Sequence, residues 1–396
     1  MVDPRPHIDK SKRTEHLMLV GFVSLCVFIA LWGHYDFVIH DQQYVFLAES
    51  FLRGKLYFTA MPERWHDTAP FAGRYYWPLG PLPAVLLTPL VWLGQLAGTK
   101  VFQGYVSLPV TFLTGYLCYR MARKCGRSPE DSIWLTLAFC GASSYVGVAV
   151  IPMSWFFAQV IAVCLLFLVI SEWLGRRRWW LIGLMLALTA SARLTAGLNI
   201  ALFIGDALLC EKRQRVKTVA SLSVGFLLPM CLLAVYNFAR FGSVSESGYS
   251  YQPLAPGDFP GVSLANVVPH LSIFLFGSPI VSGRWPFISA DPVGMSVLLL
   301  SPWLLYLGSL EMNRFNYLAL FNCALVLVAV LAWRSTGQLQ LGYRFSLDFL
   351  PIVMLLLARD GFSARKIPMG FKILVGVGLG SSGYFLISFM AAISHP

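Results

Sequence analysis

Residues 40–58 read HDQQYVFLAESFLRGKLYF and follow directly on an apolar run, 17–39, long enough to cross a membrane. The spacing predicts a helix: Tyr44, Leu47, Ala48, Phe51 and Leu52 fall at i, i+3, i+4, i+7 and i+8, and Gly54 closes it. Gln42, Gln43, Glu49 and Arg53 fill the polar side, so the stretch is expected to lie as an amphipathic helix along a membrane surface. Asp41 stands at its start, where an acid either caps the helix or does chemistry.

Composition extends this outward. Of 396 residues 57% are hydrophobic and 12% charged, with a mean hydropathy of +0.66. Soluble domains carry about twice that charge fraction, so the expected class is an all-α polytopic membrane protein. The net charge of +11 resides in short basic clusters between apolar runs, a pattern that sets topology rather than a nucleic-acid groove. Cysteines are scattered, mostly inside apolar runs (Cys26, Cys140, Cys164, Cys231, Cys323), and read as small hydrophobes rather than disulfides or a metal site. The apolar run after the basic first sixteen residues is longer than a signal-peptide core and is expected to remain as an anchor.

Charge places the loops. The N-terminal tail, 120–127, 176–178, 212–217, Arg314 and 359–372 hold 20 of the 30 Lys and Arg. With these on the cytoplasmic side, crossings are expected near 17–36, 102–119, 132–151, 154–174, 179–192, 195–210, 216–238, 293–309, 316–333, 345–358 and 371–392, about eleven in all. The run 79–97 (LGPLPAVLLTPLVWLGQLA) resembles a span, but crossing there would put 120–127 outside, and three prolines interrupt it. It is expected to be interfacial or re-entrant, the alternative being an ordinary span with another crossing miscounted. The whole chain, 1–396, then forms one membrane domain with large external loops at about 37–101 and 239–291 and a shorter one at 333–348.

The spans hold almost no ionisable side chains, which at mid-membrane cost about 2.5–3.5 kcal/mol each and usually mark transport pathways. The external side instead concentrates Asp41, Glu49, Arg53, Lys55, His66, Asp67, Arg74, Glu246, Arg284, Arg344 and Asp348. That distribution favours chemistry at the outer surface over a pump or secondary transporter.

Several stretches resemble the membrane-embedded GT-C glycosyltransferases, which use polyprenyl-phosphate sugars and include the protein O-mannosyltransferases and aminoarabinose transferases. They are the first external helix, D-x-x-Y ending in G-x-L-Y, then GRYYWPLGPLPAVLLTPL, YNFARFGSVSESGY (236–249) and GYRFSLDFLPIVMLLLA (342–358). The resemblance implies a bacterial plasma-membrane enzyme, and the charge placement puts its N-terminus on the cytoplasmic side. It would transfer one sugar from the carrier to a glycan, lipid or protein acceptor at the outer face, with inversion. Asp41 matches the family's catalytic carboxylate and would be the general base. Arg344 matches the arginine that would grip the donor phosphate, with Arg74 a second candidate. Tyr44, Glu49, His66, Asp67, Arg193, Glu246, Tyr249, Tyr343 and Asp348 could line the site. Asp348 could equally pair with Arg344 or cap the span, and Glu246 could cap its loop. His66 and Asp67 are a poor chelate, and no other motif calls for a metal, although some family members use a divalent ion; no cofactor is expected. A transporter or flippase of a lipid-linked saccharide is the rival reading, with the same outer cations as a headgroup site. An O-antigen ligase or polymerase would carry one dominant late outer loop instead.

Overall fold

The computed structural model describes residues 41–60, 67–209, 212–253, 261–362 and 366–394. The expected crossing at 17–36 and the candidate His66 lie outside these. The fold is mostly helical, with two short antiparallel ribbons, β1 (Ala69–Phe71) with β2 (Arg74–Tyr76) and β3 (Ile280–Val281) with β4 (Ile288–Ser289).

Among the described residues four helices are long and apolar enough to cross a membrane, and the chain is an integral membrane protein on that ground. They lie within α6 (Ser154–Trp173), α10 (Lys212–Phe241), α13 (Arg314–Leu331) and α15 (Met369–Ser394). Helix α6 is apolar on every face, which marks a helix surrounded by protein; 78% of its most apolar stretch is buried, against 22% for α10. Val224, Leu227, Leu228, Leu232 and Val235 of α10 are exposed, as a lipid-facing surface requires. Its other face meets α7 (Trp179–Ala192) backbone to backbone. A Cβ on Gly225 would lie 1.9 Å from the Trp180 carbonyl oxygen, and one on Gly183 2.1 Å from that of Leu222.

Several expected crossings are shorter or broken. The run 132–151 divides into α4 (Pro129–Cys140), capped by Ser128, and α5 (Tyr145–Val150). The run 195–210 divides into α8 (Leu194–Gly197) and α9 (Ile200–Leu208). At 293–309 there is no continuous α-helix: α12 (Val297–Leu300) stops before Pro302, which opens a 3-10 turn to Ser309. Residues 345–358 begin as a 3-10 turn, Arg344–Asp348, and become α14 (Leu350–Asp360) with Pro351 in its first turn. Of the remaining expected crossings among the described residues, 102–119 is the single helix α3 (Gly104–Lys124) and 179–192 the single 14-residue helix α7. Eleven spans are therefore not established, and the described helices establish four.

Two readings of the first loop change. Helix α1 (Gln43–Leu52) forms where the spacing predicts, but Tyr44, Leu47 and Ala48 are wholly buried within the protein instead of facing lipid. Gln42 and Gln43, expected on a solvated side, are buried too, because polar groups from distant segments meet them. Helix α2 (Leu82–Ala97) is continuous through Pro89, so the chain does not reverse within it, and it packs along α1. Its 16 residues reach about 24 Å, short of the ~30 Å of a hydrocarbon core. Val85, Leu86, Trp92, Leu93 and Leu96 form its exposed apolar face.

Candidate functional site

Asp41 is 1% exposed and precedes α1. It is not the helix cap: Gln42 occupies that position and makes no side-chain capping bond. The backbone here is held by two residues from other segments. Gln103, at the head of α3, donates from Nε2 to the Asp41 carbonyl oxygen at 3.0 Å and to that of Pro152 at 3.0 Å. Its Oε1 accepts from the Tyr44 amide at 3.2 Å, and its own amide donates to Gln42 Oε1 at 2.8 Å. Ser154 Oγ, at the head of α6, lies 2.9 Å from the Asp41 carbonyl oxygen, 2.6 Å from Gln43 Oε1 and 2.8 Å from Gln103 Oε1.

The first turns of α6 continue into an arginine cluster. Phe157 meets Tyr44 edge-on at 6.1 Å, Phe156 lies 5.1 Å beneath the Arg344 guanidinium, and Gln159 Nε2 donates to the Arg344 carbonyl at 2.6 Å. Ser154 and Gln159 are separated by only ~7.5 Å along the helix axis, so Asp41 and Arg344 occupy adjoining parts of one end of the bundle. Arg344 is 6% exposed, and its Nε and Nη1 have no acceptor among the described residues. Burial, reinforced by the neighbouring Arg193 charge, lowers its pKa to about 9, with Asp348 opposing.

Asp348 pairs with Arg193, not with Arg344. The bond is bidentate, Nε to Oδ1 at 2.7 Å and Nη2 to Oδ2 at 2.9 Å, and Thr195 Oγ1 adds a third donor at 2.5 Å. Burial disfavours charge on Arg193, but this carboxylate outweighs it and raises the guanidinium pKa. Asn199 donates to the Asp348 carbonyl at 2.7 Å and accepts from Asn322 at 2.8 Å, tying α13 to the same turn. The Arg193 and Arg344 guanidinium carbons stand 4.9 Å and 4.7 Å from the Phe345 ring centroid.

Tyr249 faces this cluster from the later loop, edge-on to Trp333 at 4.7 Å. Burial pushes its hydroxyl up to about 12 against the pull of Arg193, Arg334 and Arg344. Asp67 Oδ1 accepts from Gln252 Nε2 at 2.8 Å, and Gln252 Oε1 accepts from Arg334 at 2.6 Å, so three loops interlock beside it.

Other candidates stand elsewhere. Arg74 is exposed on the β1–β2 ribbon, stacked 4.4 Å over Tyr57 beside a cavity of about 290 Å³ lined by residues 70–75. Glu49 is half-buried on α1, and burial raises its pKa against the Arg53 charge. Glu246 is the loop cap: its Oε1 accepts from the Gly248 amide at 2.6 Å. Burial would raise its pKa, but bonds from Ser250 and Gly248 lower it overall. Tyr343 packs edge-on against Phe274 of α11 (Val267–Phe276) at 5.2 Å as part of the core. Among the described residues no three His, Cys, Asp or Glu side chains converge as a metal site would need.

The residues that sequence reasoning missed are Gln103, Ser154 and Arg334. The first two are polar residues at helix starts, in TKVFQG and IPMSWFF, and that position is their only sequence signal.

Fold and site together define an integral membrane protein of mostly helical structure with a buried, arginine-rich cluster at one end. No family model matches the chain, and no curated protein matches it. Among solved structures it is similar to an S. cerevisiae protein O-mannosyltransferase complex bound to the sugar donor, with 15% identity and a TM-score of 0.39. The likeness covers 63% of this chain and 39% of that one, and at this level a shared fold is not established.

Proposed function

We propose that the chain is a glycosyltransferase that moves one sugar from a polyprenyl-phosphate carrier to an acceptor hydroxyl at the extracytoplasmic face. The observation that carries this is Arg344. A buried guanidinium with two unmatched donors is costly, and a phosphate oxygen pair would satisfy it through charge-assisted bonds. Asp348 is committed to Arg193, so the pair leaves the charge on Arg344 uncancelled.

In this reading the phosphate sits against Arg344, near Tyr249, with the anomeric carbon toward Asp41. Asp41 takes the proton of the acceptor hydroxyl as that oxygen bonds to the anomeric carbon. The carbon–oxygen bond to phosphate breaks with its electron pair, leaving prenyl phosphate and an inverted product. Such a base contributes typically about 10²–10⁴-fold. The phosphate role is assigned to Arg344 rather than to Arg74, which is exposed and stacks over Tyr57.

The test is binding of sugar-free prenyl phosphate to purified wild type and to Arg344→Gln in nanodiscs. The proposal expects at least tenfold weaker binding by the variant, and equal binding would remove the phosphate role. Membrane vesicles given prenyl-phosphate mannose, glucose, galactose or arabinose should release prenyl phosphate from at least one. Failure with all four would count against the donor class.

A further inference from the structure

We infer that Gln103 and Ser154 are positioning residues that fix Asp41 for proton abstraction; the inference rests on the proposed base role of Asp41. Asp41 lies outside α1, and the Gln42 cap position makes no side-chain bond, so the helix itself does not hold the Asp41 backbone. Gln103 and Ser154, from two segments far apart in sequence, do so instead. Gln103 is wholly buried, and a primary amide offers two N–H donors and two acceptor lone pairs. Both donors are used, on the Asp41 and Pro152 carbonyls, and the oxygen accepts from the Tyr44 amide.

With its backbone amide on Gln42, Gln103 touches residues 41, 42 and 44 at once. Ser154 is wholly buried and adds a contact to the Asp41 carbonyl from the helix whose next two turns carry Phe156 and Gln159, the residues against Arg344. The clamp therefore sets Asp41 relative to the arginine cluster through one rigid element. An apolar residue at 103 would leave the Tyr44 amide and the Asp41 carbonyl without this partner while keeping the carboxylate itself. A displacement of ~1 Å at a reacting group costs about 10²-fold in rate.

The experiment measures kcat and donor KM in vesicles with whichever of the four prenyl-phosphate sugars wild type turns over. Gln103→Leu should lower kcat by about 10–100-fold with donor KM within about threefold. Ser154→Ala should lower kcat in the same sense, and Ser154→Thr, which keeps the hydroxyl, should restore most of it. In an Asp41→Asn background Gln103→Leu should cost nothing further, because a clamp without its base has nothing to position. A Gln103→Leu kcat within about twofold of wild type, or a full additional loss on Asp41→Asn, would overturn the inference. If Gln103→Leu does not fold, the Ser154 variants decide: equal kcat for Ala and Thr overturns it. Near-normal turnover by Asp41→Asn alone would instead remove the base reading.

Discussion

Asp348→Asn isolates the ion pair at the centre of the candidate site. The amide keeps the size of the carboxylate and can still accept from Thr195, but it removes the charge opposite Arg193. Arg193 is 12% exposed and Asp348 1%, so water cannot replace the lost partner. Breaking a buried pair by removing one member typically costs about 3–5 kcal/mol. A second contribution has the same sign. Given their distances to Phe345, the Arg193 and Arg344 charges are no more than about 10 Å apart, and at an effective dielectric near 20 they repel by roughly 1.5 kcal/mol or more. Asp348 offsets that repulsion in the wild type. Thermal unfolding of the purified protein in nanodiscs reads the result. Asp348→Asn should unfold well below wild type, and Arg193→Met combined with Asp348→Leu should recover much of the difference, since neither position of the pair is then left as an unpaired buried charge. An Asp348→Asn variant unfolding within a degree of wild type would refute the reasoning.

Three further outcomes follow from other parts of the molecule. Gly225→Ala inserts a methyl group against the Trp180 carbonyl and should separate α7 from α10, costing about 1–3 kcal/mol by the same unfolding measurement. Glu246 has a folded-state pKa below its ordinary value, so its stabilisation is present above about pH 4.5 and lost as pH falls through the folded value. Wild type and Glu246→Gln should therefore converge in unfolding temperature as pH drops from 6 to 3. Arg74→Ala should leave the affinity for prenyl phosphate within about twofold of wild type, because Arg74 is exposed and stacks on Tyr57.

The sequence made some of this legible and hid the rest for physical reasons. Helix α1 was readable because its 3.6-residue apolar period survives in the fold, as were α6, α10, α13 and α15 from length and hydropathy. Arg344 and Asp348 stood out as charges at the start of an apolar run. Their partners did not: Asp348 meets Arg193 across 155 residues, and no local period reports such a contact. Gln42 and Gln43 looked solvated because periodicity shows which side of a helix is polar, not whether another segment covers it. Gln103 and Ser154 cover that side, and neither belongs to a motif. The broken helices at 141–144 and 300–302 were missed because an apolar run keeps its hydropathy where a glycine or proline interrupts its hydrogen bonds.

The central claim is that Asp41 removes a proton while a glycosidic bond forms at the lipid-phosphate donor. Its most direct test is mass analysis of the products from vesicles given prenyl-phosphate sugar, with wild type or Asp41→Asn at equal, folded amounts. The account predicts a new glycosidic product and released prenyl phosphate with wild type, and at least a hundredfold less of both with Asp41→Asn. Sugar carried across the bilayer still attached to its carrier, or undiminished product from Asp41→Asn, would contradict it.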